Sequence, residues 1–134
     1  MSDLRRNVRN ANTHSHQWQY RISQPDEGGP YPVILLLHGW TGDENSMWIF
    51  TPRLPQDSLF IAPRGLFLAP EGGYAWHAVV QGWPCMADFE PAIEGLLDLL
   101  TLVRFPTGDF STLHLVGFSQ GAALAYAFTL SNPE

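Results

Sequence analysis

One serine in this chain stands where it could become a nucleophile: Ser119, in Gly117-Phe118-Ser119-Gln120-Gly121. A Gly-x-Ser-x-Gly run can turn the backbone sharply from a strand into a helix and leave the hydroxyl clear at the tip. The turn is so tight that the positions two before and two after must be tiny, which Gly117 and Gly121 satisfy. Leu113-His114-Leu115-Val116 reads as a buried strand entering the turn, and Ala122 to Phe128 reads as a helix leaving it. The N-terminus of that helix favours negative charge near the hydroxyl. The chemistry this supports is acyl transfer through a covalent serine intermediate.

Acyl transfer also needs a base for the serine proton and N–H groups aimed at the developing oxyanion. The amide of Gln120, directly after the serine, is one candidate donor. The segment Leu37-His38-Gly39-Trp40-Thr41-Gly42-Asp43 follows an apolar run, and its Gly39 permits close approach. The Trp40 amide is the candidate for the second donor. The base is harder to find. His38 belongs to the Trp40 loop and reads as a structural hydrogen-bonder. His114 lies at the start of the strand that leads to Ser119, at the wrong end of it, and His14 and His16 lie near the N-terminus. His77, beside Trp76, is the one in-chain candidate to test. Asp88, Asp98 and Asp109 read as cap, helix-surface and turn residues. After Ser119 there is no histidine, and the sole acid is Glu134. The histidines lack zinc-ligand spacing, and no phosphate-cradling or dinucleotide motif is present, so neither a metal nor a cofactor is expected.

These residues must be positioned by strands and helices in alternation. Residues 1–16 are polar and aperiodic and are expected to form a flexible tail. Gln17 to Ile22 alternates polar and apolar, as a half-buried strand does. The runs Pro32 to Leu37 and Ser58 to Pro63 are apolar on both faces, which suits central parallel strands. A short helix is expected over 44–54. Residues 64–87 form a long loop rich in Gly, Pro and aromatics, and such loops are usually functional. Residues 88–104 carry the clearest helical periodicity, with Asp88 as N-cap and Pro91 in the first turn. Strand 113–118 and helix 120–131 follow. The alternation predicts an α/β fold with a mostly parallel, doubly wound sheet. Its site would lie beyond the C-terminal strand ends, where His38, Arg64 and Ser119 all fall.

Composition narrows the function classes. The net charge is −6, the chain has no lysine, and residues 25–134 carry twelve acids against three arginines. Such an acidic body argues against nucleic acid as a partner. Cys85 is the sole cysteine, so no intrachain disulfide can form, and its surroundings suit an unreactive thiol. The N-terminus lacks a signal-peptide core, and no apolar run could span a bilayer. A soluble, cytoplasmic protein with no membrane span is expected.

The combination Leu-His-Gly-Trp-Thr-Gly-Asp (37–43), Ala-Pro-Arg-Gly (62–65), Gly-Gly-Tyr-Ala-Trp (72–76) and Gly-Phe-Ser-Gln-Gly (117–121) resembles the phospholipase/carboxylesterase family of α/β-hydrolases. That family includes acyl-protein thioesterases and is related to dienelactone hydrolases. The resemblance covers roughly residues 17–134, the N-terminal portion of such a domain. It implies a serine hydrolase acting on small-molecule carboxylic esters or thioesters. Ser119 would be its nucleophile, Trp40 and Gln120 its oxyanion hole, and the region of Trp76 and His77 its substrate pocket. It also implies an acid and then a histidine after the serine, on strands with no counterpart here. Without those strands, strand 113–118 becomes a long apolar edge that invites another chain. Three explanations stay open: a piece of a longer enzyme, a missing half supplied by self-association or a complementing chain, or a non-catalytic binding protein derived from a truncated hydrolase.

Overall fold

Two runs in this chain, Tyr31–Leu37 and Leu59–Pro63, are so apolar that they are stable only with both faces covered. Almost every residue in them is buried, and they form the middle of the sheet. The computed structural model describes residues 6–12, 18–26, 28–101 and 105–132. The strands are β1 (Arg6–Asn12), β2 (Gln19–Pro25), β3 (Tyr31–Leu37), β4 (Leu59–Pro63), β5 (Phe67–Leu68), β6 (Tyr74–Ala75) and β7 (Gly108–Gly117). The α-helices are α1 (Glu90–Leu99) and α2 (Gln120–Ser131), and two 3-10 helices span Ser46–Arg53 and Met86–Phe89.

The main sheet runs β1-β2-β4-β3-β7, with β5 and β6 pairing apart as a small hairpin. Strands β4, β3 and β7 are parallel, whereas β2 runs antiparallel to β4 and β1 antiparallel to β2. The sheet is therefore mixed, not as uniformly parallel as the alternation predicts. Residues 26–30 between β2 and β3 explain this, because a connection that short cannot make the crossover that parallel strands need. The expected tail differs as well: residues 6–12 form β1, in register from Arg6 opposite Pro25 to Asn12 opposite Gln19. Backbone bonding to the open edge of β2 carries that strand, which composition and periodicity do not reveal. His14 and His16 lie outside the described residues.

The two faces are covered unequally. Trp18, Val33, Leu35, Leu59 and Ile61 meet α1 and α2 through Ile93, Leu96, Leu124 and Phe128. On the other face Ile34, Leu36, Phe60 and Ala62 are covered by Met47, Trp48 and Leu54, in and beside the 3-10 helix Ser46–Arg53. Helix α1 is shorter than its periodicity predicts. Asp88 does not cap it, but accepts a hydrogen bond from the Cys85 amide at 2.7 Å and closes the preceding 3-10 turn. Residues 102–104 lie outside the described ones. Strand β7 pairs with β3 alone among the described strands, and its other edge is open. No described helix is long and apolar enough to cross a membrane.

Leu96 is fully buried between α1 and the sheet. Leu96→Ala should cost about 2–5 kcal/mol, read as a lower urea midpoint at unchanged slope.

Candidate active site

Strand β7 ends at Gly117 and α2 begins at Gln120, so two residues make the whole turn. Ser119 absorbs it with φ 57° and ψ −115°, a conformation that residues with a Cβ rarely adopt. Holding it costs about 1–3 kcal/mol and needs surroundings that enforce it. A Cβ at Gly121 would collide with the Leu37 and His38 carbonyl oxygens, and one at Gly117 with the Gly121 carbonyl. The Phe118 amide donates to the Leu37 oxygen at 3.1 Å, and the Ser119 oxygen accepts from Ala122 at 2.9 Å. The Ser119 side chain is exposed, and its hydroxyl has no hydrogen-bond partner among the described residues.

The loop after β3 lies against this elbow. A Cβ on Gly39 would stand 3.3 Å from the Ser119 Cβ and 3.0 Å from the Phe118 oxygen. The next residue is Trp40. Its amide and that of Gln120 have no acceptor among the described residues. Thr41, at φ 70°, turns the chain back, and its amide donates to the Tyr74 oxygen at 3.1 Å while Tyr74 returns a bond to Gly42 at 2.9 Å. The β5–β6 hairpin thus braces the loop from outside.

His38 braces it from within. Its Nε2 accepts from the Gly65 amide at 2.8 Å, which leaves the proton on Nδ1 to be donated to the Gly39 oxygen at 2.7 Å. Its carbonyl accepts from the Trp76 indole at 2.8 Å. Burial, its largest influence, lowers the His38 pKa below the ordinary value and keeps the ring neutral. Both ring nitrogens are used in structure, so this ring is no base for Ser119.

His77 is equally committed. The Gln120 side-chain oxygen accepts from the Trp76 amide at 2.7 Å, which places the Gln120 NH2 against His77 Nε2 at 3.0 Å. Nε2 is then the acceptor, and Nδ1 donates to the Ala78 oxygen at 2.6 Å. The ring makes no bond to Ser119. Trp76, expected in the pocket wall, is instead fully buried, stacked near His38 at 4.9 Å between ring centroids. The indole also meets Trp18, at 6.3 Å between ring centroids. His77 is also buried, with Trp40 at 6.0 Å and Phe89 at 5.2 Å. His114 stands opposite Ile34, about 10 Å back along β7 from Gly117 at the usual strand rise. Ser119, Gly39 and the Trp40 and Gln120 positions are therefore together, but no described histidine bonds to the Ser119 hydroxyl.

A charged pair that sequence reasoning left without a role completes the brace. Arg64 grips Glu44 with two bonds of 2.8 Å, donates to the Tyr74 hydroxyl at 3.2 Å and stacks over the Tyr74 ring at 4.4 Å. Burial alone would raise the Glu44 pKa, yet the hydrogen bonds from Arg64 and from its own backbone hold it below the ordinary value. The signal was Ala62-Pro63-Arg64-Gly65, an arginine at a strand end, but its distant partner cannot be read from the chain. No group of three or more His, Cys, Asp or Glu among the described residues could hold a metal ion.

No protein-family model matches this sequence, and no curated protein matches it. Solved structures do. A carboxylesterase from Mesorhizobium loti superposes with TM-score 0.68 at 19% identity, over 92% of this chain and 59% of that one. Esterase PE8 gives TM-score 0.60 at 23% identity over 84% and 57%, and YahD with malic acid gives 0.63 at 20% over 84% and 57%. The chain shares the fold of the matching part of these structures. It spans 57–59% of their length.

Two predictions follow from the site's geometry. Ser119→Gly removes the φ strain at some cost in unfolded-chain entropy, so it should be more stable than Ser119→Ala by about 0.5–2 kcal/mol in urea unfolding. Equal stability would mean the elbow is unstrained. A buried neutral His38 must also be charged in acid. Its folded pKa lies below the unfolded value of about 6.5, so its stabilising contribution is complete above that pH and is lost as pH falls towards the folded pKa. NMR titration should find the His38 ring still neutral at pH 6.5, and a ring that titrates at or above that value contradicts the assignment.

Proposed function

We propose that this chain is the N-terminal part of a serine hydrolase of phospholipase/carboxylesterase type, cleaving a small-molecule ester or thioester. The observation that carries this is Ser119 at positive φ on the elbow, beside a loop whose Trp40 amide is unpaired, and followed by the equally unpaired Gln120 amide. The Ser119 oxygen attacks the acyl carbonyl while a base takes its proton. The carbonyl oxygen becomes an oxyanion held by the Trp40 and Gln120 amides. Collapse breaks the bond to the alcohol or thiol, which leaves with the proton, and water then releases the acid and restores the serine.

The acid and histidine come, in this reading, from outside residues 1–134, on an element that pairs with the open edge of β7. Supporting this is the apolar groove of about 600 Å3 beside that edge, walled by Leu97, Leu100, Leu113, Leu115 and Phe128. It is the kind of surface a further strand and helix would fill. In the protein with β7 so covered, Ser119→Ala should abolish hydrolysis of p-nitrophenyl acetate. Trp40→Pro, which deletes one amide N–H, should lower kcat about 100- to 1000-fold. Full activity in Ser119→Ala would remove the proposal. Sedimentation of the 134-residue chain separates the sources: a concentration-dependent dimer assigns the groove to a second copy. An inactive, well-folded protein that still takes a partner at β7 would favour the non-catalytic binding reading.

A further inference from the structure

The loop that carries the Trp40 amide does not hold its own shape. Thr41 stands at φ 70°, where a β-branched residue is strained, so neighbouring groups must enforce the turn. The residues around Trp40 are fastened through their backbone: the Gly42 amide donates to the Gly39 oxygen at 3.0 Å, and the Thr41 amide to the Tyr74 oxygen at 3.1 Å. Trp40 itself is fastened differently. Among the described residues its one hydrogen bond beyond this loop is that of the indole, whose Nε1 donates to Glu71 Oε1 at 3.1 Å. The same ring lies near His77, at 6.0 Å between centroids.

Glu71 is presented for this contact by a tight turn. Between β5 and β6 the Ala69 amide donates to the Gly73 oxygen at 3.1 Å, and the Gly72 amide donates to the Ala69 oxygen at 3.0 Å. That leaves the loop Pro70-Glu71-Gly72, in which proline presets its own φ and Gly72 supplies a φ of 110°. A Cβ on Gly72 would meet nothing, so that glycine serves the turn alone. A Cβ on Gly73 would stand 2.0 Å from the Thr41 oxygen. The hairpin tip is therefore seated on Thr41, with Glu71 against the Trp40 indole.

We infer that Glu71 is a positioning residue for the proposed hydrolysis: by gripping the Trp40 indole it holds the Trp40 amide towards the place where the oxyanion forms. The inference rests on the esterase reading, which gives that amide its task. The indole and the amide of Trp40 share one Cα. A ring anchored at its far edge therefore restricts rotation about the Trp40 N–Cα bond, and with it the direction of the N–H. Glu71 is exposed, and a hydrogen bond so exposed adds little to overall stability. Its effect should fall on the reaction and not on folding.

Two variants in the protein with the open edge of β7 covered test this. Glu71→Ala deletes the acceptor, whereas Glu71→Gln keeps a side-chain oxygen in its place. With p-nitrophenyl acetate, Glu71→Ala should lower kcat about ten-fold or more at unchanged KM and urea midpoint. Glu71→Gln should restore most of the rate. Backbone 15N relaxation should show the Trp40 amide going from an order parameter of about 0.85 to below about 0.6 in Glu71→Ala, with the Gln120 amide unaltered. An unchanged kcat in Glu71→Ala, a loss that Glu71→Gln does not repair, or equal loosening of the Gln120 amide would overturn the inference. If the wild type does not turn over p-nitrophenyl acetate, the esterase reading falls, and the order of the Trp40 amide still decides whether Glu71 holds it.

Discussion

The rest of the site depends on one close approach: the Gly121 Cα against the carbonyl oxygens that end β3. Because no side chain intervenes, the first turn of α2 sits directly on the strand end. The backbone then has only Phe118 and Ser119 in which to reverse from strand to helix, which forces Ser119 to φ 57°. The same contact sets Gly39 against the Ser119 Cβ and brings the Trp40 loop to the serine. Nucleophile and oxyanion donors are thus arranged by a backbone-to-backbone contact, which has little freedom to relax.

Holding that arrangement is the work of polar side chains that never reach the pocket. His38 joins the loop after β3 to the turn after β4, Arg64 joins that turn to Glu44, and Tyr74 joins both to the hairpin. Gln120 extends the brace from the elbow to Trp76 and His77. All three strand ends are linked by groups that are buried or half-buried and each hydrogen-bonded to a neighbour. Unpaired polar groups there would each cost about 1–3 kcal/mol, so the network is rigid because breaking any one bond is expensive. A brace of this kind suits a site whose donors must be in place before charge develops.

Much of this was legible in the chain. The elbow declares itself locally, since glycine spacing, apolar strand and helix all lie within 113–131. The apolar runs at 31–37 and 59–63 gave the sheet centre for the same reason. Long-range pairing was not legible. Nothing in Arg6–Asn12 marks a strand, because its partner edge supplies the bonding. The antiparallel course of β2 follows from the short 26–30 link, a constraint of chain length and not of residue type. Trp76 and His77 were assigned to the pocket by the family resemblance of 72–76, and a motif cannot show whether a ring lines a pocket or is buried beside it. The Glu44–Arg64 pair spans two elements, and neither residue alone predicts the other.

Labelling with a fluorophosphonate, read by intact mass and peptide mapping, tests the central claim most directly. The reagent modifies a serine only when its oxygen is activated and an oxyanion hole receives the phosphonyl oxygen. With the open edge of β7 covered, a single adduct is predicted on Ser119, absent in Ser119→Ala and slowed in Trp40→Pro. A folded protein with that edge covered and no adduct, or an adduct on another residue that persists in Ser119→Ala, would contradict the account.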